Sequence, residues 1–147
     1  MDGGPLVILL AEDNDAHVKL VMRTLRDHPV ANKLYCVGDG QAALDYLWRR
    51  SDFANEDDSP RPDLILLDLR LPKIDGLEVL RQIKSANELQ SIPVAVLTTS
   101  EDEKDIAQAY GFHANSYLVK PVDFANFSDM MRDLGFYWLT WNRSPSS

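Results

Sequence analysis

Short apolar segments of the chain alternate with longer segments in which apolar residues recur every three to four positions. Five of the short segments have the length of β-strands, and three of these are nearly all aliphatic, which is typical of strands covered on both faces. The predicted strands are residues 6–11, 33–38, 63–67, 93–97 and 115–119. The apolar pattern therefore predicts a sheet that lies inside the protein.

A helix is predicted after each strand from apolar residues at helical spacing. The markers of the first three helices are Val18, Val21, Met22 and Leu25, then Leu44, Leu47 and Trp48, then Leu77, Leu80 and Ile83. The fourth helix begins at a capping box of Ser100 and Glu103, and the fifth follows Pro121, with Asp123 as its cap. Strict alternation of strands and helices implies parallel strands, right-handed crossovers and helices on both faces. We therefore predict an α/β fold with a doubly wound sheet.

Length and charge narrow the range of functions. A chain of 147 residues fits one domain with a sizeable core. Fifteen Lys and Arg against 23 Asp and Glu give a net charge of −8, which would repel a nucleic-acid backbone. No apolar run approaches the roughly 20 residues that span a bilayer, and the N-terminus lacks the features of a secretory signal. We expect a cytoplasmic protein without a nucleic-acid or membrane partner.

Polar side chains follow the predicted strands at their carboxyl ends. They are Glu12 and Asp13 after the first strand, Asp68 after the third, Thr98 and Thr99 in the fourth, and Lys120 after the fifth. In a doubly wound sheet, ligands bind outside the carboxyl ends of the strands. Three carboxylates, one or two hydroxyls and an ammonium should therefore meet at one edge, which is the outline of an active site.

Four segments at these strand ends resemble the receiver domain of two-component signalling, the CheY-like family, in which a histidine kinase donates a phosphoryl group to an aspartate. The segments are ILLAEDN, LILLDLRLPKIDG, VAVLTTS and YLVKP, and the resemblance runs from about residue 6 to residue 134. It implies a flavodoxin-like (βα)5 sheet with strand order 2-1-3-4-5 and a receiver domain at residues 1–134. It also implies a phosphoacceptor rather than an enzyme that turns over substrate.

The resemblance assigns a role to each residue of the metal site. Asp68 is the phosphoacceptor. Glu12, Asp13 and Asp68 hold the metal, together with the backbone carbonyl of Arg70. The positively charged side chain of Arg70 departs from the usual pattern of this family. It leaves open whether this side chain pairs with Glu12 or shields the phosphoryl group.

The resemblance also assigns the residues around the phosphoryl group. Thr98 and Lys120 contact it, while Arg70 and Ser100 flank it. Thr98 and Tyr117 form the switch that reshapes the face made by the fourth helix, the fifth strand and the fifth helix. The 30-residue spacing from Asp68 favours Thr98 over Thr99 as the hydroxyl of the site.

The chemistry of these side chains supports the same assignments. Three clustered carboxylates repel one another unless a hard cation neutralises them, and Mg²⁺ commonly binds one or two carboxylates plus a phosphate oxygen. Phosphoryl transfer requires a nucleophile in line and stabilisation of charge on the other oxygens. Asp68 could supply the first, and Mg²⁺, Lys120 and Thr98 the second. We therefore expect Mg²⁺ as the cofactor.

Several segments outside the site resemble one group within the family, the stand-alone regulators that partner bacterial and cyanobacterial phytochromes. They are YLW in the second helix, the charged and proline-rich residues 49–63, TTS after the fourth strand and the aromatic tail. This resemblance implies a phytochrome as the sensor histidine kinase. Without an output domain, the signal would pass to a downstream protein or phosphotransfer partner. Residues 49–63 are predicted to be an exposed loop.

The last apolar seam of the chain is longer than the sheet can cover. Its members recur with a period near 3.5: Phe124, Phe127, Met131, Leu134, Trp138 and Trp141. A helix through the whole seam would run about 30 Å, whereas the strands span roughly 20 Å. We predict that residues 135–147 are an aromatic extension of the fifth helix and that the protein is a homodimer through both. The alternative is a tail that folds back on its own domain.

Two other function classes are compatible with parts of the pattern. A phosphatase of the haloacid dehalogenase type also uses Asp, Thr and Lys around Mg²⁺, but it requires a second Asp two residues after the nucleophile, where this chain has Arg70. A pseudo-receiver would bind partners without phosphorylation, yet it would not need the full set of site residues.

The histidines and the cysteine are not assigned to the site. His17, His28 and His113 lack metal-ligand spacing and are expected to be ordinary surface or boundary residues. Cys36 is expected to be a small buried apolar residue, and as the single cysteine it cannot form an internal disulfide.

Overall fold

The computed structural model of the protein describes residues 5–29, 31–55, 57, 59–99 and 114–135. In this part of the chain, five parallel strands form one sheet in the order β2-β1-β3-β4-β5. The strands are β1 Leu6–Ala11, β2 Asn32–Val37, β3 Leu64–Asp68, β4 Val94–Thr98 and β5 Ser116–Val119. The predicted doubly wound sheet and its strand order are confirmed.

Four α-helices lie within the described ranges. They are α1 Asp15–Asp27, α2 Gly40–Trp48, α3 Gly76–Ser85 and α4 Phe124–Asp133. The fourth predicted helix lies outside the described residues, so α4 is the fifth predicted helix. Each of the four begins at an Asn or Asp whose side chain accepts a hydrogen bond from the backbone three residues later; these caps are Asn14, Asp39, Asp75 and Asp123. No helix in these ranges is both long enough and apolar enough to cross a membrane.

The core consists of two apolar layers, one on each face of the sheet. In β1, Leu9 and Ala11 point to the layer that α2 and α3 cover, whereas Ile8 and Leu10 point to the layer that α1 and α4 cover. All five residues of β3 and of β4 are buried. Because the central strands are packed on both faces, their carboxyl ends are held as one rigid edge.

Most of the described residues between 49 and 63 are exposed, as predicted, but the second half of this loop is held more closely than its composition indicates. Ser59 is buried, and its hydroxyl donates between the carbonyls of Phe53 (2.9 Å) and Asn55 (3.0 Å). The Tyr46 hydroxyl of α2 donates to the carbonyl of Pro60 at 2.8 Å. The Tyr46 bond joins the loop to α2, and a short 3₁₀ turn over Ser51–Phe53 lies within the loop.

Two expectations were wrong. Cys36 is exposed, because β2 is an edge strand and the sheet does not continue beyond it. His28 is buried: its ring lies 5.2 Å from that of Phe127, edge to face, and 5.4 Å from that of Phe124. Burial lowers the pKa of His28 below its ordinary value. His113 lies outside the described residues.

The C-terminal end of α4 is described as far as Gly135. The helix ends at Asp133, and Gly135 has a φ of 90°, which a glycine adopts without strain. The predicted extension over residues 136–147, with Trp138 and Trp141, lies outside the described residues.

Candidate functional site

Strand register brings the predicted site residues to one edge of the sheet. Asp68, the last residue of β3, is paired with Leu97, and Thr98, the last residue of β4, is paired with Val119. The backbone N–H of Lys120 donates to the carbonyl of Thr98 at 2.8 Å, which places the lysine directly after β5 at the same edge.

Three carboxylates form an acidic cluster at this edge. One oxygen each from Glu12, Asp13 and Asp68 lies within 4.8 Å of the others. Glu12 and Asp68 are buried and Asp13 is exposed, so the cluster is open to solvent on one side. Burial raises the pKa of Glu12, and the neighbouring Asp68 raises it further, although Lys120 acts in the opposite direction.

Lys120 bridges two of the three carboxylates. Its Nζ donates to Asp68 Oδ2 at 2.8 Å and forms an ion pair with Glu12 Oε1 at 2.7 Å. The lysine side chain is only 8% exposed. Burial alone would lower the pKa of Lys120, but the hydrogen bonds to Asp68 and Glu12 outweigh it and raise that pKa. The ammonium is therefore fixed and charged beside Asp68.

The donor set fits a hard divalent cation. Its three members are carboxylates that face one another, and oxygen ligands of this kind are what Mg²⁺ prefers. Among the described side chains, Glu12 Oε1 is buried, and the ammonium of Lys120 lies 2.7 Å from it as an ion-pair partner. This oxygen therefore already faces one positive charge at the edge of the acidic cluster.

The segment after β3 is held tightly against the strand end. The backbone N–H of Arg70 donates to Asp68 Oδ1 at 2.9 Å, and the N–H of Gly76 donates to the carbonyl of Leu69 at 2.9 Å. An ideal Cβ on Gly76 would lie 2.2 Å from the carbonyl oxygen of Asp68, so only glycine fits there. The Arg70 side chain is exposed and makes a contact of its own.

The remaining predicted residues differ in what the structure describes. Thr98 is buried at the end of β4, whereas Thr99 is exposed. Tyr117 is half-buried in β5 and packs against the layer under α2 and α3, and burial raises its pKa. Ser100 lies outside the described residues.

His17 also lies at the site, which the sequence did not predict. Its Nδ1 is 3.1 Å from Lys120 Nζ and 3.6 Å from Glu12 Oε1. It is the third residue of α1, so the first turn of the helix points its side chain back toward the strand edge. The available signal was its position in that turn, five residues after Glu12.

Comparison with known proteins points to one family. A family model described as "Response regulator receiver domain" matches residues 8–132. The "Probable methanogenesis regulatory protein FilR2" of Methanothrix harundinacea is 48% identical over 141 residues, which are 96% of this chain and 88% of that protein. "Response regulator Rcp1" of Synechocystis is 43% identical over 143 residues, covering 97% of this chain and 95% of that protein.

Solved structures agree with these relatives. The bacteriophytochrome response regulator RtBRR has a TM-score of 0.84 at 43% identity, covering 92% of this chain and 81% of that one. The Mn(2+)-bound form of Rcp1 has a TM-score of 0.74 at 42% identity, and the phosphorylated cyanobacterial phytochrome response regulator RcpA has 0.75 at 40%. Each of these two matches covers 92% of this chain and 95% of the other.

Proposed function

The chain belongs to the response regulator receiver family of two-component signalling, and from this we propose that it accepts a phosphoryl group from a sensor histidine kinase on Asp68. The observation that carries the proposal is the contact of Lys120 Nζ with Asp68 Oδ2 at 2.8 Å, beside the carboxylates of Glu12 and Asp13. This geometry supplies a nucleophile, a fixed positive charge and a set of oxygen ligands in one place.

The proposed transfer uses a carboxylate oxygen of Asp68 as the nucleophile. The oxygen forms a bond to phosphorus while the bond from phosphorus to the donor's nitrogen breaks, and the electron pair of that bond leaves with the donor imidazole. Lys120 holds one oxygen of Asp68, the Arg70 N–H holds the other, and both contacts orient the carboxylate before transfer. Lys120 and the Thr98 hydroxyl then stabilise the negative charge on the phosphoryl oxygens.

A divalent cation completes this site in the proposal. Glu12, Asp13, Asp68 and the backbone carbonyl of Arg70 would hold Mg²⁺. When bound, Mg²⁺ neutralises the carboxylates and draws charge from the phosphoryl oxygens. The acidic cluster supports this assignment, as does the relative Rcp1, whose structure carries Mn(2+).

The product would be an acyl phosphate that later hydrolyses, so the protein is proposed to act as a switch and not as an enzyme with repeated turnover. The phosphorylated state of RcpA supports phosphorylation as the signal. A phosphatase of the haloacid dehalogenase type is disfavoured because Arg70 stands where that chemistry requires an Asp. A pseudo-receiver is disfavoured because Glu12, Asp68 and Lys120 are in mutual contact.

Acetyl phosphate with Mg²⁺ tests the acceptor, and intact-mass spectrometry measures uptake. The wild-type chain should take up one phosphoryl group, and Asp68→Asn should take up none. Asp63→Asn is the matched control, because Asp63 is an exposed carboxylate at the other end of the same strand. Full uptake by Asp68→Asn, or release of phosphate far in excess of the chain, would overturn the proposal.

The signal is proposed to leave the site through Thr98 and Tyr117. Phosphorylation adds roughly −1.5 to −2 charge and draws nearby donors inward. Movement of the Thr98 hydroxyl would open space for the Tyr117 ring, which is half-buried on β5. The affected face would include β5, α4 and the helix predicted near residues 100–111. Arg70 and Ser100 are proposed to flank the phosphoryl group and to set its lifetime.

The upstream partner is proposed to be a phytochrome with histidine kinase activity, on the support of the phytochrome regulators RtBRR and RcpA. Phosphotransfer from purified kinases tests this, with a phytochrome kinase expected to transfer faster than an unrelated histidine kinase. Equal rates from both would contradict it. The downstream partner is proposed to be a protein or a phosphotransfer domain.

Residues 1–134 are proposed to form the receiver domain, and residues 135–147 an aromatic extension that joins two copies. The support is the apolar seam, which continues beyond α4 to Trp141. Analytical ultracentrifugation of the full chain beside a chain ending at Leu134 tests it. The full chain should sediment as a dimer and the shortened chain as a monomer, whereas equal masses would contradict the proposal.

A further inference from the structure

The ammonium of Lys120 has a third neighbour besides the two carboxylates. Within the described part of the chain, Nζ faces Asp68 Oδ2 at 2.8 Å, Glu12 Oε1 at 2.7 Å and His17 Nδ1 at 3.1 Å. An ammonium carries three N–H donors and no acceptor. Three nearby acceptor atoms therefore match three donors, with His17 Nδ1 accepting in the neutral tautomer that carries its proton on Nε2.

The imidazole of His17 is held in place by the start of α1. The backbone N–H of His17 donates to Asn14 Oδ1 at 3.1 Å, and the N–H of Asn14 donates to Glu12 Oε2 at 3.1 Å. One oxygen of Glu12 thus fixes the helix cap while the other faces the ammonium. His17 is 34% exposed and Glu12 is fully buried, so the imidazole lies between the closed site and solvent.

We propose that His17 is a positioning residue for Lys120 in phosphoryl transfer. This rests on the proposed function, because it concerns the state in which Glu12 and Asp68 bind a cation and a phosphoryl group. In that state we expect both carboxylates to share their oxygens with the cation and the phosphoryl group, and so to hold the ammonium less firmly. His17 Nδ1 then keeps one N–H of Lys120 bonded, so the other two point at the phosphoryl oxygens.

The geometry favours this role over metal binding. Nδ1 of His17 faces the positive charge of Lys120 at 3.1 Å, and that charge would repel a cation placed on the same nitrogen. A lysine side chain is flexible, so ordering it costs conformational entropy. A third contact that already orders the ammonium reduces the entropy lost when Lys120 binds the phosphoryl group. The role predicts an effect on phosphoryl binding without an equal effect on metal binding.

Three substitutions of His17 distinguish the effect of moving the acceptor atom from the effect of removing the ring. His17→Asn keeps an acceptor near the place of Nδ1, His17→Gln moves it outward toward the place of Nε2, and His17→Ala removes it. Each variant is titrated with Mg²⁺ alone and then with beryllofluoride in saturating Mg²⁺, since beryllofluoride takes the place of the phosphoryl group. Calorimetry gives both affinities, and thermal melts without metal verify the fold.

The contact joins a hydrogen-bond acceptor to a charged donor, so its loss should weaken beryllofluoride binding about tenfold. We expect this loss in His17→Gln and His17→Ala, near wild-type affinity in His17→Asn, and Mg²⁺ affinity within about twofold of wild type throughout. Equal beryllofluoride affinities in all four proteins would overturn the inference. A parallel loss of Mg²⁺ affinity would also overturn it, because His17 would then act on the metal. A wild-type chain that binds no beryllofluoride would instead contradict the proposed function.

Discussion

The backbone N–H of Gly40 donates a 3.1 Å hydrogen bond to the carbonyl of Pro72, which ties the start of α2 to the segment that follows Asp68. An ideal Cβ on Gly40 would lie 1.7 Å from the carbonyl oxygen of Ile74. Lys73, between Pro72 and Ile74, has a φ of 69°, and its Nζ lies 3.5 Å from Asp39 Oδ2. The β3–α3 segment is therefore held by α2 from one side and by the strand end from the other.

Gly40→Ala should destabilise the protein by about 3 kcal/mol, because backbone must move to admit the methyl group. Gly38→Ala is the matched control, since no atom lies within 4 Å of its ideal Cβ, and it should change stability by less than about 1 kcal/mol. Urea unfolding followed by circular dichroism measures both. Equal effects of the two substitutions would show that the close approach is not maintained in solution.

Lys120→Met should raise the affinity for Mg²⁺ about tenfold, because a cation entering the cluster would no longer be repelled by the buried ammonium. The same substitution should lower the stability of the metal-free protein, since Glu12 and Asp68 lose their counter-charge. Isothermal titration calorimetry with Mg²⁺ measures the first effect. Lys19→Met, on the exposed side of α1, is the control. A lower Mg²⁺ affinity in Lys120→Met would mean that the lysine assists the cation.

Burial of His28 should make the protein less stable in mild acid. Its pKa is lowered in the folded state, so below its ordinary value of 6.5 the unfolded chain binds the proton more readily. The free energy of unfolding should therefore fall as the pH drops through that region. Between pH 7.5 and pH 5.5, the free energy of unfolding should fall less in His28→Gln than in the wild type. Other groups that titrate in both proteins, such as Glu12, cancel when the two curves are subtracted. Parallel curves would contradict the prediction.

Ser59→Ala should loosen the loop between α2 and β3. The substitution removes the hydroxyl that donates to Phe53 and Asn55, and the loss of one such bond costs about 1 kcal/mol. Amide hydrogen exchange in residues 51–55 should become faster, and limited proteolysis should cut there sooner. Ser85→Ala, at an exposed helix end, is the control. Unchanged exchange in Ser59→Ala would show that the loop does not depend on this hydroxyl.

The sheet and the site edge could be predicted because both follow from one pattern. Alternating strands and helices impose parallel pairing, and parallel pairing collects the strand ends at one edge. Asp68 and Lys120 are far apart in sequence, and this pairing brings both to the same edge, where their side chains are in contact at 2.8 Å. The hydrophobic pattern locates the strand ends, and the residue types at those ends indicate the chemistry of the site.

The errors have a different physical origin. The burial of Ser59 depends on the particular carbonyls that its hydroxyl reaches, which hydrophobic periodicity does not encode. Cys36 is exposed on an edge strand, and the apolar character of its segment does not indicate which of its side chains face solvent. His17 reaches Lys120 only through the cap geometry of α1. Local hydrogen bonding decided the placement of Ser59 and His17, and the position of the strand in the sheet decided that of Cys36.

The exposed thiol of Cys36 gives the protein a native attachment point for a spin label, because it is the single cysteine of the chain. β2 and β5 are at opposite margins of the sheet, so a nitroxide on Cys36 would lie far from Tyr117. Dipolar spectroscopy between the two labelled copies of the proposed dimer could then follow their separation as beryllofluoride is added, without any engineered substitution.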